Sequence, residues 1–299
     1  MNQSEVAIIG AGPAGIACAM QLSRYRIKPL LFERDIPGGL LKNANLVENF
    51  PGFPGGISGT ELIKKMTKQL SHSQVPVIQE NVIRVSHKGD YFNINTDQHD
   101  YLSKVLVIAS GTVPIMPAEV AIPDVLLHRV FYEIYPLRKV RDSEIVIIGA
   151  GDAAFDYAIQ LASYNKVTIM NRSDRVKCLP LLWQRAKGIG QISYIEDYVL
   201  RQVMDEPSSS CLKLLFQTKV EMESLLADYI IFATGRRPEL SFTDPLLHSH
   251  LEELQQKGKL HLIGDVKNDL YRQASIAAGD GIRTAMEIYF NESHKKNKE

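Results

Sequence analysis

Residues 5–20 read EVAIIGAGPAGIACAM, and this stretch decides the fold. Val6, Ala7, Ile8 and Ile9 form the short apolar run of a strand buried on both faces. Gly10, Gly12 and Gly15 follow in the spacing G-x-G-x-x-G. The first glycine permits a tight turn, and the second lets backbone approach a pyrophosphate. The third lets the following helix pack close to the strand. Pro13, beside Ala14, suits the first turn of that helix, where a missing N–H is not needed. The free N–H groups and the dipole at such a helix start attract a diphosphate. Residues 28–32 read as the next strand, which ends in Glu33 and Arg34. An acid about 20 residues past the glycines is the usual ribose ligand. Strand, turn, helix and acid together predict a dinucleotide-binding unit.

The chain of 299 residues has room for two domains and for substantial cores. Its 34 basic and 34 acidic side chains cancel, so nothing points to a nucleic-acid or anionic-membrane partner. No apolar run approaches the length of a membrane-spanning helix. The N-terminus enters the first strand directly, without a signal-peptide pattern. Cys18, Cys178 and Cys211 are far apart, which fits a reducing cytoplasm and no disulfide framework. The tail with His294, Lys295, Lys296 and Lys298 reads as a solvated end.

Beyond Glu33 the run RDIPGGLLKNANLVENFPGFPGG is rich in Gly, Pro and Asn and reads as a long functional loop. Residues 60–70 place Leu62, Ile63, Met66 and Leu70 on one helix face. Residues 75–85, 91–95 and 105–108 read as strands. Pro114, Pro117 and Pro123 then mark a domain boundary. The strand at residues 144–148 leads into Gly149, Ala150, Gly151, Asp152, Ala153 and Ala154, a second fingerprint with alanine at its third position. A helix over 154–162 and a strand over 167–170 complete it. Residues 178–204 are mixed in pattern. Strands follow at 212–217, 228–233 and 260–263, and a helix at 273–290. Two fingerprints imply two nucleotides, a flavin and a nicotinamide.

In this order the motifs resemble the thioredoxin reductase branch of the two-dinucleotide flavoprotein reductases. They are GAGPAG, GGLL with VENFPGFPGG, IASGTVP, GAGDAA, IIFATGRRPE, IGDV and YRQASIAAGDG. The resemblance implies an α/β protein of two Rossmann-like three-layer domains. An FAD domain of residues 1–116 and 240–299 would carry an inserted NAD(P)H domain of residues 117–239. It assigns Gly10, Gly12, Pro13, Ala14, Gly15, Glu33 and Arg34 to the FAD pyrophosphate and adenosine side. Gly38, Gly39, Leu40, Val82, Ser110 and Gly111 lie along the FAD, with Asn49 at its flavin end. Gly264 and Asp265 meet the ribityl chain, Asp265 being otherwise a helix cap. Arg272, Gln273 and Ala274 border flavin and diphosphate. To the nicotinamide nucleotide it assigns Gly149, Gly151, Asp152, Ala153, Ala154, Asn171, Arg172, Lys177 and Gly235. A two-fold homodimer is implied as well.

One departure changes the chemistry. Thioredoxin reductases carry a Cys-x-x-Cys pair just before the second fingerprint. Counted back from Gly149, that pair falls on Tyr132 and Tyr135, and no cysteine occurs between residues 19 and 177. Without a thiolate pair, dithiol exchange cannot run. The expected activity is transfer of electrons from nicotinamide through FAD to another acceptor: a ferredoxin-like protein, a free flavin, a quinone or dioxygen. A non-turnover sensor, an electron-transfer subunit, or a disulfide reductase using a partner's cysteines are the competing readings. Tyr132 and Tyr135 either stack on the flavin or pack between domains. Cys178, after Arg175 and Lys177, is either a thiol of lowered pKa or an inert one.

NAD sites end the second strand of the unit in an acid. This one ends in Asn171, Arg172 and Ser173, with Lys177 further on. The family's NADPH members have a second arginine where Ser173 stands. The remaining bases favour NADPH over NADH, unless Arg172 and Lys177 only solvate the surface. Asp152 is an acid at an anion-binding turn, and a vestigial second site is an open alternative.

Overall fold

The computed structural model describes residues 2–209 and 211–296. Lys298, named above in the tail, lies outside them. In chain order the strands are β1 (Asn2–Ile9), β2 (Leu30–Glu33), β3 (Val77–Gln79), β4 (Val82–Lys88), β5 (Tyr91–Thr96), β6 (Asp100–Ile108), β7 (Thr112–Pro114), β8 (Val130–Phe131) and β9 (Glu144–Ile148). They continue as β10 (Lys166–Met170), β11 (Ile192–Ile195), β12 (Val199–Glu206), β13 (Cys211–Gln217), β14 (Met222–Ala227), β15 (Tyr229–Phe232), β16 (Arg236–Pro238) and β17 (Leu260–Leu262). The helices are α1 (Pro13–Arg24), α2 (Gly59–His72), α3 (Asp152–Leu161), α4 (Pro180–Lys187), α5 (Pro245–Ser249), α6 (Leu251–Gln256) and α7 (Ala274–Lys296).

The chain forms two compact units. The first is Met1–Lys42, Leu46–Val113 and Arg237–Glu299; the second is Asn43–Asn45 and Pro114–Arg236.

In the first unit β1 pairs in parallel with β2 and β6, β2 with β3, and β6 with β17. The N-terminal half of β6 also pairs antiparallel with β5, and β5 with β4. The period of two along the strands sorts the core. Ala7, Ile9, Phe32, Leu106 and Ile108 meet Val85, Phe92 and Ile94 of the antiparallel strands. Ile8, Leu31 and Val107 alternate with them and are fully buried too. The residues expected to form one strand at 75–85 form two, broken at Glu80. That carboxylate turns inward and accepts hydrogen bonds from Thr96 Oγ1 at 2.6 Å and Tyr101 Oη at 2.9 Å, beside the His99 ring.

The second unit repeats the plan. Its parallel sheet has the order β11-β10-β9-β15-β8, and β12-β13-β14 form an antiparallel meander. Ile145, Ile147, Ile169 and Ile231 pack with Phe155 and Ala158 of α3. Val146, Met170, Ile230 and Phe232 pack with Val203, Leu214 and Phe216 of the meander. Helix, sheet and meander therefore make three layers, as expected. The mixed run at 178–204 resolves into α4, β11 and the start of β12. The last helix extends past residue 290 to Lys296.

Candidate functional site

Each unit presents a glycine turn at the end of its first long strand, and the two turns are built alike. Gly10 has φ +102°, and a Cβ there would lie 2.5 Å from the Ala109 carbonyl oxygen. Gly149 has φ +126°, and its Cβ would lie 2.4 Å from the Ala233 oxygen. Only glycine tolerates both the angle and the approach. Gly12 and Gly151 cap α1 and α3 in extended conformation, and no atom lies within 4 Å of a Cβ added at either. The glycine before each helix start thus leaves open space beside it, and a helix start with such room is the arrangement that receives a diphosphate. Gly15 serves packing: a Cβ there would lie 1.9 Å from the Gly10 oxygen.

Further segments converge on the first turn. Glu33, ending β2, accepts the Ala11 N–H through Oε2 at 2.8 Å. Gly38 donates its N–H to the Ala11 oxygen at 2.7 Å, and a Cβ on Gly39 would sit 3.4 Å from Gly12 Cα. Gly264, with φ +71°, approaches until a Cβ would lie 2.9 Å from Ala14 Cβ. It opens the short turn that carries Asp265. Asn49 donates through Nδ2 to Gln273 Oε1 at 2.8 Å, tying the VENFPG loop to the segment of Arg272, Gln273 and Ala274. Ser110 donates to the Glu239 oxygen at 2.6 Å, and Gly111, at φ +69°, accepts the Glu239 N–H. Arg34 and Leu40 flank this region in sequence. Val82 is buried in the core, so any ligand contact it makes is through its backbone.

At the second turn Asp152 is not aimed at an anion. Its Oδ1 accepts the Leu179 N–H at 2.7 Å, and Lys177 donates its N–H to the Ala150 oxygen at 3.0 Å. Residues 177–179 are thereby laid along the fingerprint, and the Asp152 carboxylate has a structural role there. Arg172 and Lys177 are exposed. Asn171 is buried and donates its amide to the Arg175 oxygen at 3.1 Å and Tyr194 Oη at 2.9 Å, so it shapes the loop. Ala153 is exposed and Ala154 fully buried, the pattern of a helix start against a sheet. Gly235, at φ +121°, accepts the Ile115 N–H at 3.0 Å.

The position of the expected dithiol holds different chemistry. Tyr132 stacks on Phe232 with centroids 5.7 Å apart and packs, partly buried, against the core of the second unit. Burial raises its pKa. Between the tyrosines, Glu133 accepts from Asn43 Nδ2 at 3.1 Å and pairs with Arg236 at 3.4 Å. Tyr135 donates its N–H to Asn43 Oδ1 at 3.0 Å, and the Arg138 guanidinium lies over its ring. Asn45 donates its N–H to Asp156 Oδ2 at 3.0 Å. Burial pushes Asp156 up to about 6, with the Asp152 charge adding and the Asn45 bond opposing.

None of the three cysteines is paired. Cys18 is fully buried in α1, and burial holds its pKa far above the ordinary range. Of the two readings of Cys178, the raised pKa that burial and the Asp152 charge give it supports the inert thiol and not the lowered one. Cys211 lies at the start of β13 and donates to the Ser209 oxygen at 3.3 Å.

Against known proteins, residues 4–281 match the model of the pyridine nucleotide-disulphide oxidoreductase family. The chain belongs to that family. Thioredoxin reductase 2 of Arabidopsis thaliana is 30% identical, over 96% of this chain and 81% of that one. Thioredoxin reductase of Streptomyces coelicolor is 29% identical, over 94% and 92%. The crystal structure of Lactococcus lactis thioredoxin reductase superposes with TM-score 0.85 at 29% identity, covering 96% and 98%. This family member is therefore a thioredoxin reductase-like, FAD-dependent oxidoreductase of Rossmann-type fold that lacks the redox dithiol. The two open glycine turns and the acid of Glu33 fit a flavin and a nicotinamide dinucleotide.

Sequence reasoning missed three residues here. Asp280 accepts the Gly264 N–H at 3.1 Å and the Asn268 amide at 2.7 Å, and so sets the turn of Gly264 and Asp265. Its signal is the Gly-Asp-Gly of residues 279–281 inside a helix, where glycines are unfavourable without a packing reason. Glu133 and Asp156 carry no local signal, since both act on residues about 90 and 111 positions away.

Proposed function

We propose that this protein is an NADPH-preferring flavoprotein reductase that delivers electrons to an acceptor other than a disulfide. The reading rests on one observation. Tyr132 and Tyr135 stand where the dithiol belongs, and Tyr132 is stacked on Phe232 against a core. A phenol has no S–S exchange chemistry, and the cysteines sit in α1, the loop before α4, and β13. Bound FAD would accept hydride from a nicotinamide and release electrons singly or in pairs.

The chain's own residues do the holding. Gly10, Gly12 and Gly15 bring backbone to the FAD diphosphate, Glu33 meets the adenosine ribose, and the turn of Gly264 and Asp265 lies beside Ala14 to meet the ribityl chain. Gly149, Gly151 and the start of α3 take the second diphosphate. Arg172 and Lys177 meet a 2′-phosphate, Lys177 being fixed beside Ala150 by its backbone bond. The acceptor is a ferredoxin-like protein, a free flavin, a quinone or dioxygen, met by a cytoplasmic homodimer.

Anaerobic mixing with NADPH should bleach the flavin band, followed by reoxidation with one of a panel of acceptors and with ferricyanide. Thioredoxin and a small aromatic disulfide should be reduced no faster than by free flavin. Robust disulfide turnover would refute the reading. Arg172→Ala should raise the apparent KM for NADPH roughly tenfold, about 1.4 kcal/mol, and leave NADH nearly unchanged. Equal effects on both would remove Arg172 from phosphate recognition. No bleaching by either nucleotide would favour a sensor or a subunit that needs a partner.

A further inference from the structure

The first unit contains a cavity of about 820 Å³ that involves none of the residues assigned above to a cofactor. It lies along β17, between the end of α6 and the C-terminal half of α7. Small-molecule sites span roughly 300–1,000 Å³ and combine an apolar wall with a few converging polar groups. This one has both.

Its accessible apolar side is Met286 and Phe290, exposed at 39% and 49%, while Leu260 and Ile288 of the lining are buried. The charged lining is unbalanced. Lys257, Lys267 and Arg283 line it with one carboxylate, Glu287, and once the ion pairs are drawn a single positive charge, that of Lys267, is in excess. Arg283 is tied to Glu287 at 2.9 Å and Lys257 to Glu253. Lys267 has no ion-pair partner among the described residues. His261 also lines the cavity, and its Nε2 is buried without a hydrogen-bond partner among the described residues. Such an orphaned group calls for an explanation in a folded protein. Burial lowers the pKa of this imidazole, so the ring is neutral at pH 7 and adds no charge.

These features select a ligand class. A purely apolar molecule would leave the excess positive charge unanswered. A bare inorganic anion would leave the apolar wall wet. We propose that the cavity is a binding site for a small organic anion with an apolar body, its carboxylate or sulfonate at Lys267 and its ring or branched chain against Met286 and Phe290. The site stands apart from the proposed electron acceptor and does not depend on it.

The test uses the full chain with FAD bound and anilinonaphthalene sulfonate, an aromatic sulfonate whose emission rises on leaving water. Titration should saturate at one probe per chain. Lys267→Glu and Met286→Glu change exposed rim positions and should each weaken binding about tenfold or more, with unchanged melting temperature. Val220→Glu, at a position 90% exposed in the second unit, should bind as the parent does. No saturable binding, or affinities equal to the parent in both rim variants, would overturn the proposal. Weakening by Met286→Glu alone would overturn it as well, because the anion would then have no part in recognition.

Discussion

Gly12 and Gly15 lie three residues apart and answer to different constraints. A side chain on Gly12 would enter open space, whereas one on Gly15 would strike the Gly10 carbonyl at 1.9 Å. Gly12→Val should therefore fold normally, with apoprotein stability within about 0.5 kcal/mol of the parent, yet lose most of its flavin. Gly15→Ala should lose flavin and also destabilise the apoprotein by about 1–3 kcal/mol. Flavin absorbance per chain and thermal denaturation of the stripped proteins separate the two outcomes. Asp156 offers a second contrast. Its folded pKa, about 6, lies above the ordinary 3.8. Below pH 3.8 it is protonated folded or unfolded and costs nothing. As pH rises toward 6 the unfolded chain ionises it freely and the folded one does not, so stability is lost across that window. The loss is on the order of 3 kcal/mol at neutral pH. Asp156→Asn keeps an acceptor for the Asn45 N–H and removes the titration. It should match the parent near pH 4 and exceed it above pH 6 in denaturant unfolding.

Helix pairing in the first unit turns on small residues. A Cβ on Gly281 of α7 would lie 2.2 Å from the Ala14 oxygen and 2.8 Å from the Cys18 nitrogen of α1. Gly281→Val should force these helices apart and lower stability by about 3 kcal/mol or more, read as a fall in melting temperature and in retained flavin. Elements of this kind also divide what the sequence discloses from what it hides. The fingerprints at Gly10 and Gly149 are legible because a left-handed turn and a close backbone approach leave glycine no substitute. The strands at 6–9 and 145–148 are legible because both faces are buried, which demands unbroken apolar runs. The break at Glu80 is not, since it depends on Thr96 and Tyr101 arriving from another hairpin. Nor is the anchoring of Asn43 by Glu133 and Tyr135, which a local pattern cannot report. The tyrosines themselves disclosed the missing dithiol, but the stacking of Tyr132 on Phe232, 100 positions away, has no local signal.

For the molecule as a whole, the proposed function makes thiol chemistry dispensable. With Cys18 buried and Cys178 raised by burial, the variant Cys18→Ala, Cys178→Ser, Cys211→Ser should keep nicotinamide-dependent ferricyanide reduction within about twofold, since no step involves a thiolate. A larger loss with flavin content intact would restore a sulfur to the mechanism. The division into units bears on synthesis. Nearly all of the second unit is one continuous stretch, Pro114–Arg236, while the first is assembled from three pieces, the last being Arg237–Glu299. On the ribosome, residues 114–236 can therefore close their core while β6 still lacks β17 along its C-terminal half and α1 still lacks α7. Through that interval the nascent chain carries an uncovered strand edge and an uncovered helix face, both prone to association. Chaperone occupancy should persist until α7 has left the exit tunnel. The glycine turn translated first is the one completed last.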